Sequence, residues 1–291
     1  INQNHVVAIL GEIASSRTLA GAPIAQRAGV PVITPASTNP KVTKVGDFIF
    51  RVCYTDSFQG VVCARFAVEK LGLKRLAILK DIKNDYSVGL AEYFALNARA
   101  LGAEIVSEQS YSEGDTDFRA QLTALKAKNP EAIFVPGYYG DVGLIVRQAR
   151  EMALEVPLLG GDGWDSPELF SLAGDALRNV FFSNHYSTDD QSPEVQRFVQ
   201  AYKARFGAVP DALAALGYDA AQFLAAGLRR VVEEDQAAFG HLVGPARSDA
   251  KSKEARAAAR AKLREVLAGI RGLQGVTGSI SVDAHRNAVK P

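Results

Sequence analysis

Short runs of apolar, often β-branched residues alternate with amphipathic stretches over most of the chain. Strands separated by helical segments build a parallel sheet, because each helix carries the chain back to start the next strand in the same direction. The predicted strands are 6–10 (VVAIL), 30–35 (VPVITP), 48–52 (FIFRV), 75–81 (RLAILKD), 104–111 (EIVSEQSY), 132–137 (AIFVPG), 157–162 (PLLGGD) and 179–184 (NVFFSN). The pattern therefore predicts an α/β fold with parallel sheets.

The segments between these strands have apolar residues at spacings of three and four, which is the pattern of a helix with one buried face. Segment 57–72 begins with Ser57 as its predicted cap. Segments 86–102 and 117–130 repeat the arrangement, and Asp117 is the predicted cap of the second. These helices are expected to cover both faces of the sheet.

After the last predicted strand, helix follows helix. Segment 193–207 is expected to end at Gly207, and segment 211–234 is a long apolar helix. Segment 235–270 starts with weak periodicity and becomes rich in Lys, Arg and Ala, which predicts a loop followed by a solvated helix. Segment 275–283 (GVTGSISVD) is expected to be a β segment that crosses between domains.

The composition sets limits on the class of protein. A chain of 291 residues is long enough for two domains, each with its own core. With 33 basic and 32 acidic residues, the net charge of +1 gives no field that favours nucleic acid or an anionic membrane. The sequence has no apolar run of about 18 residues, the length of a membrane span. It starts without Met or a signal pattern, so we expect any export signal to lie upstream and to have been removed.

The two cysteines, Cys53 and Cys63, do not predict a metal site. They lie ten residues apart, and no Cys-x-x-Cys motif or histidine cluster accompanies them. Two interpretations stay open. The spacing favours two partly buried free thiols, and a disulfide in an oxidising compartment is the alternative.

Candidate ligand donors follow the second predicted strand, because ligands in open α/β sheets bind beyond the carboxyl ends of the strands. There Ser37, Thr38 and Asn39 offer hydroxyls, an amide and backbone N–H groups, which hold a carboxylate or phosphate. Ser15, near the start of the first helix, is either a further donor or a helix cap. Tyr86 and Tyr138 follow two other strands, and such repeated tyrosines are typical of small-ligand sites.

The segment 157–170 (PLLGGDGWDSPELF) places Asp162 and Trp164 after a strand. Asp162 has three candidate roles: a catalytic carboxylate, a metal ligand or an anchor for a cationic ligand. The chain lacks the common hydrolase, zinc-protease, P-loop and dinucleotide motifs, and none of its four histidines is paired with a nearby nucleophile. Neutral donors at one strand end and Asp162 at another match the two charges of an α-amino acid. We therefore expect Asp162 to bind an ammonium group, in a protein that is not an enzyme.

Several blocks of the sequence closely resemble the substrate-binding proteins of branched-chain amino-acid ABC transporters, typified by the leucine/isoleucine/valine-binding protein. They are ILGEIASSRTLAGAPIAQRAGVPVITPASTNPKVT, FRVCYTDSFQG, DYSVGLAEYF, GDTDFRAQLTALKAKNPEAIFVPGYYGD, LGGDGWDSPEL and FGAVPDALAALGYDAA. The resemblance spans residues 6–290 and implies a type I periplasmic binding fold, with two Rossmann-like lobes joined by a three-segment hinge. It implies binding of the ligand carboxylate by Ser15, Ala36 and Thr38, aromatic walls from Tyr86 and Tyr138, and binding of the ammonium by Asp162, where the family usually has Glu.

The same resemblance implies the domain boundaries. Lobe 1 is expected to contain residues 1–56 and 185–275, and lobe 2 residues 57–184 and 276–291, with a third crossover near 275–278. Relative to the family, lobe 1 lacks the first β-α-β stretch and the chain lacks the C-terminal end. An apolar sheet edge is therefore expected in lobe 1, with self-association as one consequence.

The implied function is that of a periplasmic or extracytoplasmic binding protein without metal or cofactor. It is expected to capture a branched-chain or similar aliphatic amino acid in the cleft between the lobes and to deliver it to an ABC transporter permease. The alternative is a sensory module for an amino acid or amide that passes ligand binding to a signalling partner. Both have the same fold, and the sequence leaves the identity of the amino acid open.

Overall fold

A computed structural model gives the fold of the chain and describes residues 1, 4–245 and 249–290. The chain divides into two compact units. Unit 1 contains residues 1–54 and the chain from Tyr186 onward, and unit 2 contains residues 55–185. The chain therefore passes from unit to unit at two points, 54–55 and 185–186.

The first part of unit 1 is a small parallel sheet in the order β1-β2-β3. Its elements are β1 (Ile9–Leu10), α1 (Ser15–Arg27), β2 (Val32–Thr34), α2 (Lys41–Lys44) and β3 (Ile49–Arg51). In the register of the sheet, Val32 lies opposite both Ile9 and Ile49. Because the strands are parallel, the residues that follow β1 and β2 emerge at the same edge of the sheet.

Unit 2 is built on a five-stranded parallel sheet in the order β5-β4-β6-β7-β8. Its strands are β4 (Arg75–Asp81), β5 (Glu104–Tyr111), β6 (Ala132–Val135), β7 (Leu158–Gly160) and β8 (Val180–Phe182). Its helices are α3 (Asp56–Arg65), which continues into a π-helical segment (Phe66–Lys70), α4 (Asp85–Ala100), α5 (Arg119–Lys126), α6 (Tyr139–Glu151) and α7 (Pro167–Ala173). Short 3₁₀ turns cover Asp162–Trp164 and Gly174–Ala176.

The apolar strands of unit 2 are buried on both faces, as expected for a parallel sheet between helices. Successive residues of β4 enter different cores: Leu76 and Ile78 belong to one buried cluster, Ala77 and Leu79 to the other. Both cores depend on the alternation of side chains along a strand. This arrangement fixes β4, β6 and β7 in the centre of the sheet and leaves their carboxyl ends at one edge.

The second part of unit 1 is mainly helical and ends in a β-hairpin. It contains α8 (Pro193–Phe206), α9 (Ala212–Glu234), α10 (Gln236–Val243), α11 (Ala250–Ala268), β9 (Leu273–Gly275), β10 (Gly278–Val282) and β11 (Ala288–Val289). Strand β10 pairs antiparallel with both β9 and β11. The predicted end of α8 is confirmed, because Gly207 adopts a left-handed conformation with φ 68°.

The loop predicted at the start of 235–270 is wrong, because helix α10 occupies most of it. Asp235 caps this helix by accepting a hydrogen bond from the Ala238 backbone N–H at 2.9 Å. The side chains of Ala238 and Leu242 then pack into the core shared with α9 and α11. Two buried positions on two helical turns are too few to give a clear periodicity. Residues 246–248 of the predicted loop lie outside the described residues.

The assignment of residues 276–291 to the second lobe is also wrong for the residues described. Val276 and Thr277 donate backbone hydrogen bonds of 2.7 and 2.9 Å to the buried Asp219 carboxylate on α9. Asn287 accepts a hydrogen bond of 2.7 Å from Arg51 Nε. These buried polar contacts hold the hairpin in unit 1, so the chain does not cross at 275–278. Residue 291 lies outside the described residues.

The two predicted helix caps have different outcomes. Helix α3 starts at Asp56, so Ser57 lies inside its first turn and shares a 2.8 Å hydrogen bond with Thr55 Oγ1. Helix α5 starts at Arg119, one residue later than predicted, but the Asp117 carboxylate still accepts a hydrogen bond of 3.1 Å from the Arg119 backbone N–H. The predicted cap is therefore wrong for Ser57, whereas Asp117 does bind the first N–H of its helix.

The structure excludes the disulfide, because Cys53 and Cys63 are free, buried and in different units. No helix in the described part of the chain is both long and apolar enough for a membrane span. Within residues 1, 4–245 and 249–290, no group of three or more His, Cys, Asp or Glu residues is arranged to hold a metal ion.

Candidate ligand-binding residues

In unit 1, loop 36–39 follows β2 and lies against the start of α1. Ser15 is the first residue of α1, and its hydroxyl accepts a hydrogen bond from the Asn39 N–H at 3.2 Å. Ser15, Ala36 and Thr38 are all buried. The structure thus brings the three residues predicted to bind a carboxylate to one strand end, as the parallel sheet requires.

The hydroxyl groups of Ser37 and Thr38 in this loop differ in their hydrogen bonds. Ser37 Oγ lies 3.0 Å from the carbonyl oxygens of Glu12 and Ile13 and 2.7 Å from Thr18 Oγ1, so it fixes the chain after β1. Thr38 Oγ1 is also buried, but it has no hydrogen-bond partner among the described residues. A buried hydroxyl without a partner costs about 1–3 kcal/mol. Thr38 is therefore the hydroxyl of this loop that is suited to an external group.

Arg51 supports this loop through hydrogen bonds, a role that the sequence did not predict. Its fully buried guanidinium donates hydrogen bonds to the carbonyl oxygens of Ser37 (2.7 Å) and Asn39 (2.9 Å). It also donates to Thr43 Oγ1 and, through Nε, to Asn287 Oδ1. A positive charge that binds the carbonyls of a loop favours an anion on the N–H side of that loop. The available signal was an arginine inside an apolar strand, FIFRV.

In unit 2, the short turn Asp162–Trp164 follows β7 and places Asp162 beside two donors. Asp162 Oδ1 accepts a hydrogen bond of 2.7 Å from Gln59 Nε2, and Oδ2 lies 2.9 Å from His185 Nε2. The side chains of Asp162 and His185 are only 5% and 1% exposed. The carboxylate predicted to bind an ammonium group is thus already engaged within its own unit. Each carboxylate oxygen accepts about two hydrogen bonds, so one further donor can bind at each.

The two predicted aromatic residues form a stacked pair next to this turn. The ring centroids of Tyr86 and Tyr138 are 5.2 Å apart at an interplanar angle of 29°. The Tyr86 hydroxyl accepts a hydrogen bond of 3.2 Å from the Gly163 N–H. Burial raises the pKa of Tyr86 well above its ordinary value, so this phenol stays neutral. Tyr86 is itself buried in a core of unit 2, so Tyr138 is the partly exposed ring of the pair.

The glycines around Asp162 are required by close packing. A Cβ atom on Gly163 would lie 2.7 Å from the Gly137 carbonyl oxygen, and one on Gly161 would collide with Gln59 and Tyr86. Asp162 lies between them. On both sides of Asp162, the backbone of the turn therefore packs directly against neighbouring residues, with no side chain between them.

Trp164 belongs to the core of unit 2 and not to a ligand site. Its ring is fully buried, and its Nε1–H donates a hydrogen bond of 2.9 Å to the Val135 carbonyl oxygen. From the sequence alone, Trp164 is equally compatible with packing and with a contact to a ligand side chain. The contacts show packing.

Two partners of Asp162, Gln59 and His185, were missed by sequence reasoning. His185 follows β8, so the rule that ligands bind at strand ends was enough to select it, but we considered it only as a catalytic base. Gln59 lies one turn into α3 and carries no local signal. Cys63, on the same helix, is not a nucleophile, because burial raises the pKa of its thiol to about 12.

The fold agrees with the comparisons to known proteins. Residues 1–288 match the sequence profile of a periplasmic binding protein family, so the chain belongs to that family. An amino acid binding protein from Pseudomonas aeruginosa is 31% identical over 241 residues, which cover 81% of this chain and 63% of that protein. The chain spans about 60–63% of the length of the first curated relatives it matches.

Two solved structures are similar over almost all of this chain. A leucine binding protein from Thermotoga maritima has 38% identity and a TM-score of 0.87, and the match covers 99% of this chain and 76% of that one. A branched-chain amino acid transporter substrate-binding protein from Streptococcus pneumoniae, in complex with isoleucine, has 34% identity and a TM-score of 0.83, over 99% and 75% of the two chains. The type I periplasmic binding fold expected from the sequence is thereby shown, and these relatives are binding proteins.

Proposed function

We propose that this chain binds a small α-amino acid with a branched-chain or similar aliphatic side chain. Ser15, Ala36 and Thr38 hold the carboxylate, Asp162 holds the ammonium group, and Tyr86 and Tyr138 pack against the ligand. The observation that carries the proposal is the Asp162 carboxylate, which is buried and oriented by two hydrogen-bond partners yet can accept further donors. A buried carboxylate favours a ligand that brings a positive charge.

The chemistry of unit 1 supports the other half of the proposal. Loop 36–39 offers a buried hydroxyl that has no partner among the described residues, and the Arg51 guanidinium binds the carbonyls of the same loop. Donors of this kind match a carboxylate. The similar proteins named for leucine and for isoleucine favour an aliphatic side chain on the ligand. Asp162 is one methylene shorter than glutamate, so the precise amino acid is to be found by measurement.

At the level of the whole protein, we propose a periplasmic or extracytoplasmic carrier that delivers its amino acid to an ABC transporter permease, without chemical turnover of the ligand. A sensory module has the same binding chemistry. Uptake of the amino acid by membrane vesicles that contain the permease distinguishes them, because only the carrier supports transport. Self-association remains a prediction: β1 is an edge strand in which Leu10 is 47% exposed, and size-exclusion chromatography tests it.

Isothermal titration calorimetry with the amino acids, their amides and aromatic acids tests the ligand class. We expect leucine-like amino acids to bind, and Asp162→Asn to weaken binding by at least about 100-fold, because a buried charge partner is lost. Asp175→Asn is the matched control for removal of a carboxylate, since Asp175 lies away from this turn in the Gly174–Ala176 segment. Binding of only amides, aromatic acids or sugars, or unchanged binding by Asp162→Asn, contradicts the proposal.

A further inference from the structure

Unit 2 contains a second group of polar side chains, apart from the Asp162 turn, at the carboxyl ends of β5, β4 and β6. Asp81 is the last residue of β4, Asp115 lies in the loop after β5, and Asp141 lies in the first turn of α6, which follows β6. These strands are neighbours in a parallel sheet, so their carboxyl ends lie at one edge. The topology therefore brings Asp81, Asp115 and Asp141, here called the acid cluster, to the same edge.

The hydroxyl group of Tyr111 points into the acid cluster. Tyr111 lies opposite Asp81 in the register of β4 and β5, so the two side chains lie on the same face of the sheet. A Cβ atom on Gly137 would collide with the Tyr111 hydroxyl, which therefore lies beside the segment that joins β6 to α6. Tyr111 is only 3% exposed, and its hydroxyl has no hydrogen-bond partner among the described residues. Such a hydroxyl is unfavourable, and a bound hydrogen-bonding group removes that cost.

Backbone N–H groups hold the carboxylates of the acid cluster in place. Asp81 Oδ1 accepts two backbone hydrogen bonds, of 2.9 and 3.1 Å, and Asp115 Oδ2 accepts one of 2.9 Å. Asp141 accepts a hydrogen bond from the Gly114 N–H, and Gly114 has a φ of 90°, which favours glycine. A carboxylate accepts about four hydrogen bonds, so each of these groups can accept further donors. The cluster is therefore oriented before any ligand binds.

The electrostatics of the acid cluster favour a cation. Burial, with further contributions from Asp81, Glu113 and Asp115, raises the pKa of Asp141 from 3.8 to about 6. Burial and then the same four acids raise the pKa of Tyr111 well above its ordinary value, so its phenol stays neutral. Carboxylates that raise one another's pKa repel each other when they are ionised, and a cation among them removes this repulsion. The phenol oxygen offers that cation one more acceptor.

The spacing of the acceptors suits an organic cation better than a metal ion. A metal ion needs several oxygen ligands at about 2.0–2.6 Å from one point, and no group of three acids within 1, 4–245 and 249–290 has that arrangement. An ammonium group donates three hydrogen bonds of about 2.9 Å. It is more compact than the planar guanidinium fork, which suits a hydroxyl as deeply buried as that of Tyr111.

We propose that Asp81, Asp115, Asp141 and the Tyr111 hydroxyl form a binding site for a primary alkylammonium group. The ammonium donates to the Tyr111 oxygen and to the carboxylates, and its alkyl stem leads out to solvent. A free amine and the side chain of a lysine on a partner protein both present this group. The site is separate from the proposed amino-acid site, and the inference does not rest on the proposed function.

Calorimetry with n-butylammonium tests the inference, because this ion has the four-carbon stem and the ammonium group of lysine. At about pH 7.5 and constant ionic strength, we expect saturable binding of one ion per chain. Tetramethylammonium has the same charge but no N–H donor, and it is expected to bind at least about tenfold more weakly. Equal binding of the two ions, or tighter binding of Ca²⁺ than of n-butylammonium, contradicts the inference.

Variants locate the bound ion. Asp141→Asn is expected to weaken n-butylammonium binding at least about tenfold, and Tyr111→Phe about fivefold without a lower temperature of unfolding. Asp175→Asn and Tyr93→Phe, both in unit 2, are the matched controls and are expected to bind like the parent. Unchanged binding in both Asp141→Asn and Tyr111→Phe overturns the inference. The comparison of the two ions is made on the parent protein, so it remains decisive even if a variant does not fold.

Two further measurements separate this site from the proposed function and identify its ligand. Asp162→Asn removes the proposed anchor of the amino acid but is expected to bind n-butylammonium like the parent, and loss of that binding overturns the inference. A short uncharged peptide that contains one lysine is then compared with n-butylammonium. Tighter binding of the peptide assigns the site to a partner's lysine and weaker binding to a free amine, and both results support an alkylammonium site.

Discussion

Loop 36–39 in unit 1 and the Asp162–Trp164 turn in unit 2 are both held by buried polar side chains, but in different ways. Arg51 holds its loop through the backbone carbonyls of Ser37 and Asn39. Asp162 is held by the side chains of Gln59 and His185. The Arg51 contacts to the main chain do not depend on the side chains of that loop, whereas the contacts of Asp162 depend on the identity of three side chains. We therefore expect substitutions near Asp162 to alter ligand choice more readily than substitutions in loop 36–39.

The largest expected effect comes from Arg51→Met. It removes four hydrogen bonds of a buried guanidinium and leaves two loop carbonyls without that donor, so we expect a loss of about 3–5 kcal/mol in the free energy of unfolding. Urea denaturation followed by circular dichroism measures it. Arg51→Lys keeps the charge and is expected to lose less. If the free energy of unfolding of Arg51→Met falls by less than about 1 kcal/mol, Arg51 does not support the loop through its main-chain carbonyls.

A smaller effect is expected from Thr38→Val, and it concerns affinity. The Thr38 hydroxyl has no partner in the described part of the chain, so its removal is expected to raise the free energy of unfolding by about 1–3 kcal/mol and to weaken amino-acid binding about 5- to 15-fold. Ser37→Ala is the matched variant, because the Ser37 hydroxyl lies within hydrogen-bonding distance of Glu12, Ile13 and Thr18. It is expected to lower stability instead. Calorimetry measures the ligand affinity of both variants, and thermal unfolding measures their stability. We expect Thr38→Val to lose affinity and Ser37→Ala to lose stability.

The smallest effect on stability is expected from Asp141→Asn, a carboxylate of unit 2 outside the proposed amino-acid site. Burial, with further contributions from Asp81, Glu113 and Asp115, raises the Asp141 pKa from 3.8 to about 6. Between these values the folded chain keeps a proton that the unfolded chain has lost, so the free energy of unfolding falls as the pH rises from about 4 to about 6.

In Asp141→Asn, we expect the free energy of unfolding to fall less between about pH 4 and about pH 6. The variant should be more stable than the parent above about pH 6, by less than about 1 kcal/mol, because Asp141 is only partly buried. Thermal unfolding at a series of pH values measures the difference. Leucine affinity should not change, in contrast to Asp162→Asn. A loss of affinity would place Asp141 in the site.

The sequence predicted the sheets well where strands are apolar and central. The bounds of β4 agree with the predicted 75–81, because burial between helices gives a continuous signal. The bounds of β5 also agree with the predicted 104–111, although this edge strand is only partly buried. Strands β10 and β11 were assigned to the wrong unit, since the place of this segment depends on the buried Asp219 carboxylate. A single buried polar contact has no periodicity, and only the folded chain reveals it.

For the candidate site, the sequence predicted which residues lie at the strand ends, but it did not predict the residues that support them. The strand-end rule and the family resemblance selected Thr38, Asp162 and the stacked tyrosines as binding residues. They did not select Arg51 or Gln59, because these residues lie on other elements and support the candidate binding residues through hydrogen bonds. Such residues become visible only when distances between elements are known.

The glycines on both sides of Asp162 restrict how this binding surface can diverge. Gly161 and Gly163 have no space for a side chain, so the recognition element between them is one residue wide. A change in the charge or reach of this turn is therefore limited to one position, and at that position it requires no rebuilding of the backbone.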